Sequence, residues 1–260
     1  TIDLFQGMNG GAPWVDRDKI HLPQADIQQR LFARLVKQMV GQVKPLPQVW
    51  YFPGTAKTML VLTGDAHANP TSYFQNEINS LNTYNGKITL YITQAADPSP
   101  SSVATWTAQG HSVGIHPYVT SGYQGAYSTL TDWYTMRFGV PPSRTVRNHQ
   151  VAWLGWTDGA AIAASQGYAL DTNFYHWGSW LQKPDQSWPH GYITGSGQPM
   201  KFVASSGAIL QNYQQLTQLV DEQLVAGLGP ENLSANDAIA VSQGLMDRSQ
   251  AGDYAAIMTQ

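Results

Sequence analysis

The stretch TMLVLTGDAH, residues 58–67, decides how the rest of the chain is read. Residues 58–63 form a short apolar run of buried-strand length, and Gly64-Asp65 stops it. Outward from it, strand-like and helix-like segments alternate. Upstream, residues 26–42 place Ile27, Leu31, Leu35 and Met39, with Phe32, Val36 and Val40, at helical spacing, and Pro45 and Pro47 close that helix. Its Leu31/Leu35/Met39 stripe is expected to pack against a core. Downstream, the pattern predicts helices over 71–81, 101–109, 126–138, 157–166 and 212–226. It predicts strands over 87–93, 111–116, 145–147, 168–171, 201–204 and 238–242, with Asn85-Gly86 marking the turn before the second strand.

This is βαβ punctuation. It points to an α/β fold, an irregular (β/α) barrel of about seven parallel strands with long aromatic-rich loops, in preference to a doubly wound sheet. The long loop is residues 174–199, rich in Trp, Pro and Gly. At 260 residues the chain is expected to form a single domain over 1–260, with 1–45 as an N-terminal extension and helix. Its start, TIDLFQG, lacks both Met and a signal-like pattern, so the expectation is a piece of a longer multidomain protein.

Composition narrows the function. Charged residues make up only 12 %, about half the usual quarter. A net charge of −3 supplies no basic field for a phosphate backbone, so no nucleic acid partner is expected. No apolar run is long enough for a membrane span. The absence of cysteine removes disulfides, thiolate metal sites and cysteine nucleophiles. The low-charge, Trp/Tyr/Asn/Gln/Ser/Thr-rich character points to an extracellular or cell-surface carbohydrate-handling protein.

In parallel α/β folds ligands bind at the carboxyl ends of strands. There the sequence places Asp65 and His67, then His116, then Arg147 with Asn148 and His149, then Asp171. The glutamates Glu77, Glu222 and Glu231 lie away from these ends, so a glycosidase pair would have to be Asp65 with Asp171. No G-x-S-x-G elbow and no Gly-rich phosphate loop follows a strand. Metal-assisted hydrolysis fits best, because two imidazoles and a carboxylate suffice to hold a catalytic zinc with an open position.

Two motifs carry a family resemblance. LTGDAH at 62–67 resembles the T-F-D-D-G motif of the polysaccharide deacetylase (NodB-homology, carbohydrate esterase) family, and GHSVGIHPY at 110–118 resembles its G-H-E-I-G-N-H-T-Y motif, in the same order and spacing. Arg147 resembles the family's third motif, LDTN at 170–173 with Trp177 its fourth, and residues 238–242 stand in place of its last, His-bearing strand. The resemblance covers about residues 45–260. It implies a distorted β/α barrel that removes acetyl groups from an acetylated polysaccharide or oligosaccharide, with a divalent metal (Zn, Co or Ni). Carried over by position, Asp65 is the base, His116 a metal ligand, Arg147 the group that orients the base, and Asp171 its partner.

The sequence also departs from the pattern. The metal Asp falls on Ala66, the second metal His on Thr120, the general-acid His near Ser242, and no His follows His190. A replacement shell of Asp65, His67 and His116 is one way to keep a metal. The readings left open are therefore a divergent deacetylase, a catalytically inert glycan-binding module that needs no metal, and a metal-free glycosidase using Asp65 and Asp171. Substrate contacts are expected from His149, Trp153, Trp177 and Tyr118, whose rings suit the amphipathic faces of sugars.

Overall fold

The computed structural model describes residues 17, 20–47, 51–96, 98–120, 122–175, 182–191, 195–227, 229–251 and 256–259. In chain order the elements are α1 (Gln24–Gly41), β1 (Thr58–Ala66), α2 (Thr71–Thr83), β2 (Ile88–Ile92), α3 (Pro100–Ala108), β3 (Ser112–Ile115), α4 (Tyr123–Phe138) and β4 (Thr145–Val146). They continue with α5 (Asp158–Ser165), β5 (Leu170–Tyr175), β6 (Met200–Val203), β7 (Ile209–Thr217), α6 (Asp221–Leu224), α7 (Ala235–Ala251) and β8 (Ala256–Thr259). Two compact units result, one of residues 1–60, 176–198 and 218–258, the other of 61–175, 199–217 and 259–260.

The second unit carries a sheet ordered β6-β7-β5-β4-β3-β2-β1, parallel except where β6 runs antiparallel to β7. Its seven strands curl through 218°, an irregular, half-closed β/α barrel as the alternating pattern predicts. Short strands suffice because the helices cover one face. Leu90, Ile92, Val113, Ile115 and Val146 pack there with Phe74 and Ile78 of α2, Val103 and Trp106 of α3, and Tyr127 and Tyr134 of α4. Trp106 is fully buried, yet its indole N–H is satisfied by Gln75 at 2.8 Å. Local signals set the helix ends: Ser99 caps α3 by accepting the Ser102 N–H, with Pro100 in the first turn, and Gly139 ends α4 in the left-handed conformation.

Three expectations are corrected. The segment read as a helix over 212–226 is instead strand β7, followed by the single turn α6. Its leucines at helical spacing suggested a helix. Between β5 and β6, however, its buried residues include Asn212, Gln215 and Thr217, polar side chains that hide strand alternation. The segment read as a strand over 238–242 lies within α7. Ser234 accepts the Asp237 N–H at 3.2 Å and donates to the Asp237 carboxylate at 2.6 Å, a capping-box signature that the apolar run concealed. The position aligned with the general-acid His, Ser242, is thus helical and donates to the Ala238 carbonyl.

The third concerns α1 in the first unit, where no residue is buried and Phe32 and Met39 are 71 % and 70 % exposed. Its apolar stripe is present but is not core. The same unit is fastened by Asp26, which accepts from the backbone N–H and hydroxyl of Ser196 at 2.8 and 2.6 Å. Among the described residues, no helix is long and apolar enough to cross a membrane.

One glycine fixes how closely the strands of the second unit approach. A Cβ at Gly114 would stand 2.9 Å from the Thr145 carbonyl oxygen and 3.0 Å from the Tyr91 ring. Gly114→Ala is expected to cost about 1–3 kcal/mol of stability, read from the urea midpoint, because backbone and a buried ring must both give way. An unchanged midpoint would contradict this packing.

Candidate functional site

Parallel pairing aligns Ala66, Ile92, Ile115, Val146 and Asp171 in one row across the sheet. The first four of these side chains lie in the helix-covered core. Strand side chains alternate, so residues one step before or after each row member face the opposite, concave side. This rule places Asp65, Tyr91 and Thr145 together on that side, and beyond the row His67, His116, Arg147 and Thr172. The hydrogen bonds agree. Tyr91 OH and Thr145 Oγ1 are 2.5 Å apart, Thr172 Oγ1 stands 3.3 Å from Tyr91 OH, and Arg147 donates to Thr172 Oγ1 at 3.3 Å and to Thr217 Oγ1 at 3.1 Å.

Arg147 is the hub of this layer. Only 6 % exposed, it lies over the Tyr91 ring and makes a long 3.5 Å contact with Asp65 Oδ1. Asp65 is also 3.8 Å from His116 Nδ1, and that nitrogen lies 2.9 Å from the Arg147 carbonyl oxygen. His116 is wholly buried. Burial, and then the neighbouring His67, hold its pKa down at about 3 against the opposing effect of the backbone hydrogen bond. The rings of His67, His116 and His149 meet edge to face, with centroids 5.0 Å apart for His67 and His116, 5.1 Å for His67 and His149, and 5.6 Å for His116 and His149. The structure thus brings Asp65, His67, His116, Arg147 and His149 into one cluster.

Whether the cluster suits a divalent metal turns on its free nitrogens. The Nε2 atoms of His67 and His116 are both buried without a hydrogen-bond partner. That is two ligands. Asp65 lies 3.5 Å from Arg147 and 3.8 Å from the other nitrogen of His116, and among the described residues no group of three His, Asp or Glu side chains could hold a metal ion. Ala66, where the metal Asp of the resemblance would fall, is wholly buried in the apolar row, turned from the concave side. The residues present do not fit a three-ligand metal site.

Asp171 goes elsewhere. Its register partner is Val146, so Thr172 and not Asp171 faces Arg147. Asp171 is fully buried and accepts from the backbone N–H and side-chain amide of Asn173 at 2.9 and 2.8 Å. Burial pushes its carboxyl up to about 6, against those hydrogen bonds. Its charge also acts on Tyr123 and Tyr127 of α4, whose hydroxyls are pushed up chiefly by burial. Asp65 and Asp171 therefore lie on opposite faces of the sheet and do not form the carboxylate pair that a glycosidase needs.

Beside the cluster opens a cleft of about 590 Å³, lined by His116, Tyr118, Thr93, Gln94, Gly122 and Gly125 among others. Tyr118 is 47 % exposed and stacks on His149, ring centroids 3.9 Å apart at 21°. The turn carrying His149 holds Gln150 (φ 56°) and Val151 (φ 46°) in the left-handed region, a costly conformation for a β-branched residue and one that tends to mark functional loops. Trp153 lies apart from this cleft, stacked on Phe202 of β6 at 5.5 Å and 9°. Trp177 lies outside the described residues.

Sequence reasoning missed Thr93, Thr145, Thr172, Thr217 and Tyr91. Only position could have found them, since each is one register step from a core residue. It also missed Gly122 and Gly125, small residues that open the cleft at the start of α4. His111 is held in the structure by hydrogen bonds: it accepts the Ile88 N–H at Nδ1, 3.3 Å, and its Nε2 lies 3.1 Å from Asn82 Oδ1.

No family model and no curated protein matches this sequence. Several solved structures are similar to it. One from Bordetella bronchiseptica, described as a polysaccharide deacetylase involved in O-antigen biosynthesis, matches at TM-score 0.42 and 14 % identity over 61 % of this chain, and the match spans 57 % of that chain, short of two thirds. The polysaccharide deacetylase Bc1974 from Bacillus cereus matches at 0.40 and 14 % identity, covering 78 % of this chain and 92 % of that one. The catalytic domain of the Eubacterium rectale peptidoglycan N-acetylglucosamine deacetylase matches at 0.37 and 17 % identity, covering 84 % and 94 %.

The buried imidazole makes a measurable demand on stability. Native His116 stays neutral down to about pH 3, whereas an unfolded histidine takes up its proton near 6.5, so at this group unfolding binds a proton between these values and acid lowers its contribution to stability. In urea titrations across this window, His116→Gln is expected to lower the slope of stability against pH by up to about 1.4 kcal/mol per pH unit. Parallel profiles for parent and variant would show that the ring titrates normally.

Proposed function

We propose that the second unit is a carbohydrate-binding module built on a polysaccharide-deacetylase-like barrel, which holds an oligosaccharide in its cleft without metal-assisted hydrolysis. The observation that carries this reading is the half-exposed Tyr118 ring, backed by His149, at the edge of a 590 Å³ cleft that also contains the polar His116. A ring fixed by stacking offers a sugar an apolar face at little entropic cost, and the cleft volume lies within the range of small-ligand sites. The likeness of residues 62–67 and 110–118 to deacetylase motifs supports a glycan as the ligand class.

Metal-assisted deacetylation, the activity that the resemblance implies, finds two imidazole nitrogens and no third donor among the described residues, so no step is routed through a metal. Hydrolysis by Asp65 with Asp171 is set aside because the sheet separates them.

Calorimetric titration with a panel of acetylated and deacetylated oligosaccharides tests the reading. Saturable binding is expected, unchanged by a chelator and without acetate release. Tyr118→Ala should weaken it about tenfold, equivalent to about 1.4 kcal/mol. Gly125→Leu should abolish it with the fold intact, since a Cβ there meets no atom within 4 Å and the added side chain enters the cleft. Chelator-sensitive acetate release would instead identify a working metal hydrolase.

A further inference from the structure

Tyr118 accounts for the side of the cleft that would stack on a sugar. His116, which also lines it, poses a different question. Its Nδ1 lies 2.9 Å from the Arg147 carbonyl oxygen. A carbonyl can only accept, so Nδ1 must carry the proton. A neutral imidazole protonated at Nδ1 has a bare lone pair at Nε2. This Nε2 is buried and meets no donor in the structure, and the Nε2 of His67 is unpartnered beside it. A buried acceptor left without a donor is costly, which makes it a specific demand on whatever binds.

The surrounding chemistry adds to that demand. The guanidinium of Arg147, the strongest donor close by, is already directed to Thr172, Thr217 and Asp65. The Asp65 carboxylate adds two acceptor oxygens and a negative charge 3.8 Å from the His116 ring nitrogen, and its side chain keeps 30 % exposure. Asp65 and His67 stand behind His116, the member of the cluster that lines the cleft, so the surroundings of that ring are rich in acceptors. An acetamido group would bring its carbonyl, a further acceptor, with a methyl and a single N–H. The protonated amine left by deacetylation brings three N–H donors and a positive charge.

We propose that the His116 corner of the cleft recognises the ammonium group of a de-N-acetylated amino sugar, with His116 Nε2 as its hydrogen-bond acceptor and Asp65 as its counter-charge. The inference rests on the sugar-binding reading and names the ligand within it. It makes the module a reader of glycan that has already lost its acetyl groups, so the reaction that supplies its ligand is the hydrolysis of an N-acetyl bond by another catalyst.

The test is a paired titration of the intact chain with a glucosamine hexamer and with its fully N-acetylated counterpart, at a pH where the amine is protonated and in moderate salt. The deacetylated hexamer is expected to bind about tenfold tighter or better. His116→Phe, which keeps an aromatic ring but no lone pair, should bring the two affinities within about twofold. Should that variant fail to fold by near-ultraviolet circular dichroism, Asp65→Asn at the more exposed position should shrink the preference in the same way. Equal affinities, or a preference for the acetylated hexamer, would overturn the inference and leave the sugar-binding reading standing. No binding of either would overturn both. A preference that survives both variants would place the amine elsewhere and overturn the assignment. Stoichiometric zinc binding that displaces the glucosamine hexamer and is lost in His116→Phe would assign the lone pair to a metal and likewise overturn it.

Discussion

Period-two alternation, locked by parallel register, is the constraint on which the second unit depends. Ala66, Ile92, Ile115 and Val146 stand abreast and are all wholly buried, so a slip of one residue in any strand would exchange core for cluster. The same lock places Asp65, His67, His116, Arg147 and Thr172, drawn from four separate strand ends, on the concave side. Hydrophobic burial thus does the positioning, and the polar layer inherits its geometry. The close approach of the strands at Gly114 belongs to the same constraint, since the glycine lets the Tyr91 ring and the Thr145 backbone meet over it.

Much of this was legible. The runs at 58–63, 87–93 and 111–116 are apolar, short and bounded by turn residues, and they became β1, β2 and β3 with small shifts at their ends. β7 was not legible, because a strand in a curled sheet can bury polar side chains; the Asn212 amide donates to the Ala160 carbonyl and the Gln215 amide to the Leu216 carbonyl. Hydrophobic periodicity cannot see such a strand. The converse failure at α7 came from weighing the apolar residues of 238–242 above the cap at Ser234, although the cap was written in the sequence. α1 shows a third limit: helical periodicity reports an apolar face and not what covers it.

For the site, the list of strand-end residues was legible but their sides were not. Asp171 reads as one more member of the cluster until register turns it toward α4, and Thr172, which no chemical argument would single out, takes its place beside Arg147. Ala66 carries the same lesson. A motif aligned by spacing assigns it a ligand position, while the sheet turns it toward the helices. Arg147, His116 and Asp65 are held to one another: Arg147 reaches Asp65 at 3.5 Å, its carbonyl lies 2.9 Å from His116 Nδ1, and that nitrogen is 3.8 Å from Asp65.

Two buried titratable groups sit on opposite faces of one sheet with opposite habits. Asp171 keeps its proton in the native state up to about pH 6 and would surrender it on unfolding above 3.8, whereas His116 refuses a proton until about 3 and would accept one on unfolding below 6.5. Over the range they share, the proton released by one is taken up by the other. For this pair the melting reaction exchanges no net proton with solvent, so its calorimetric heat carries no contribution from the ionisation enthalpy of the buffer. The fold is thereby insulated, at these two positions, from mild acidification, through compensation rather than through the absence of ionisable groups.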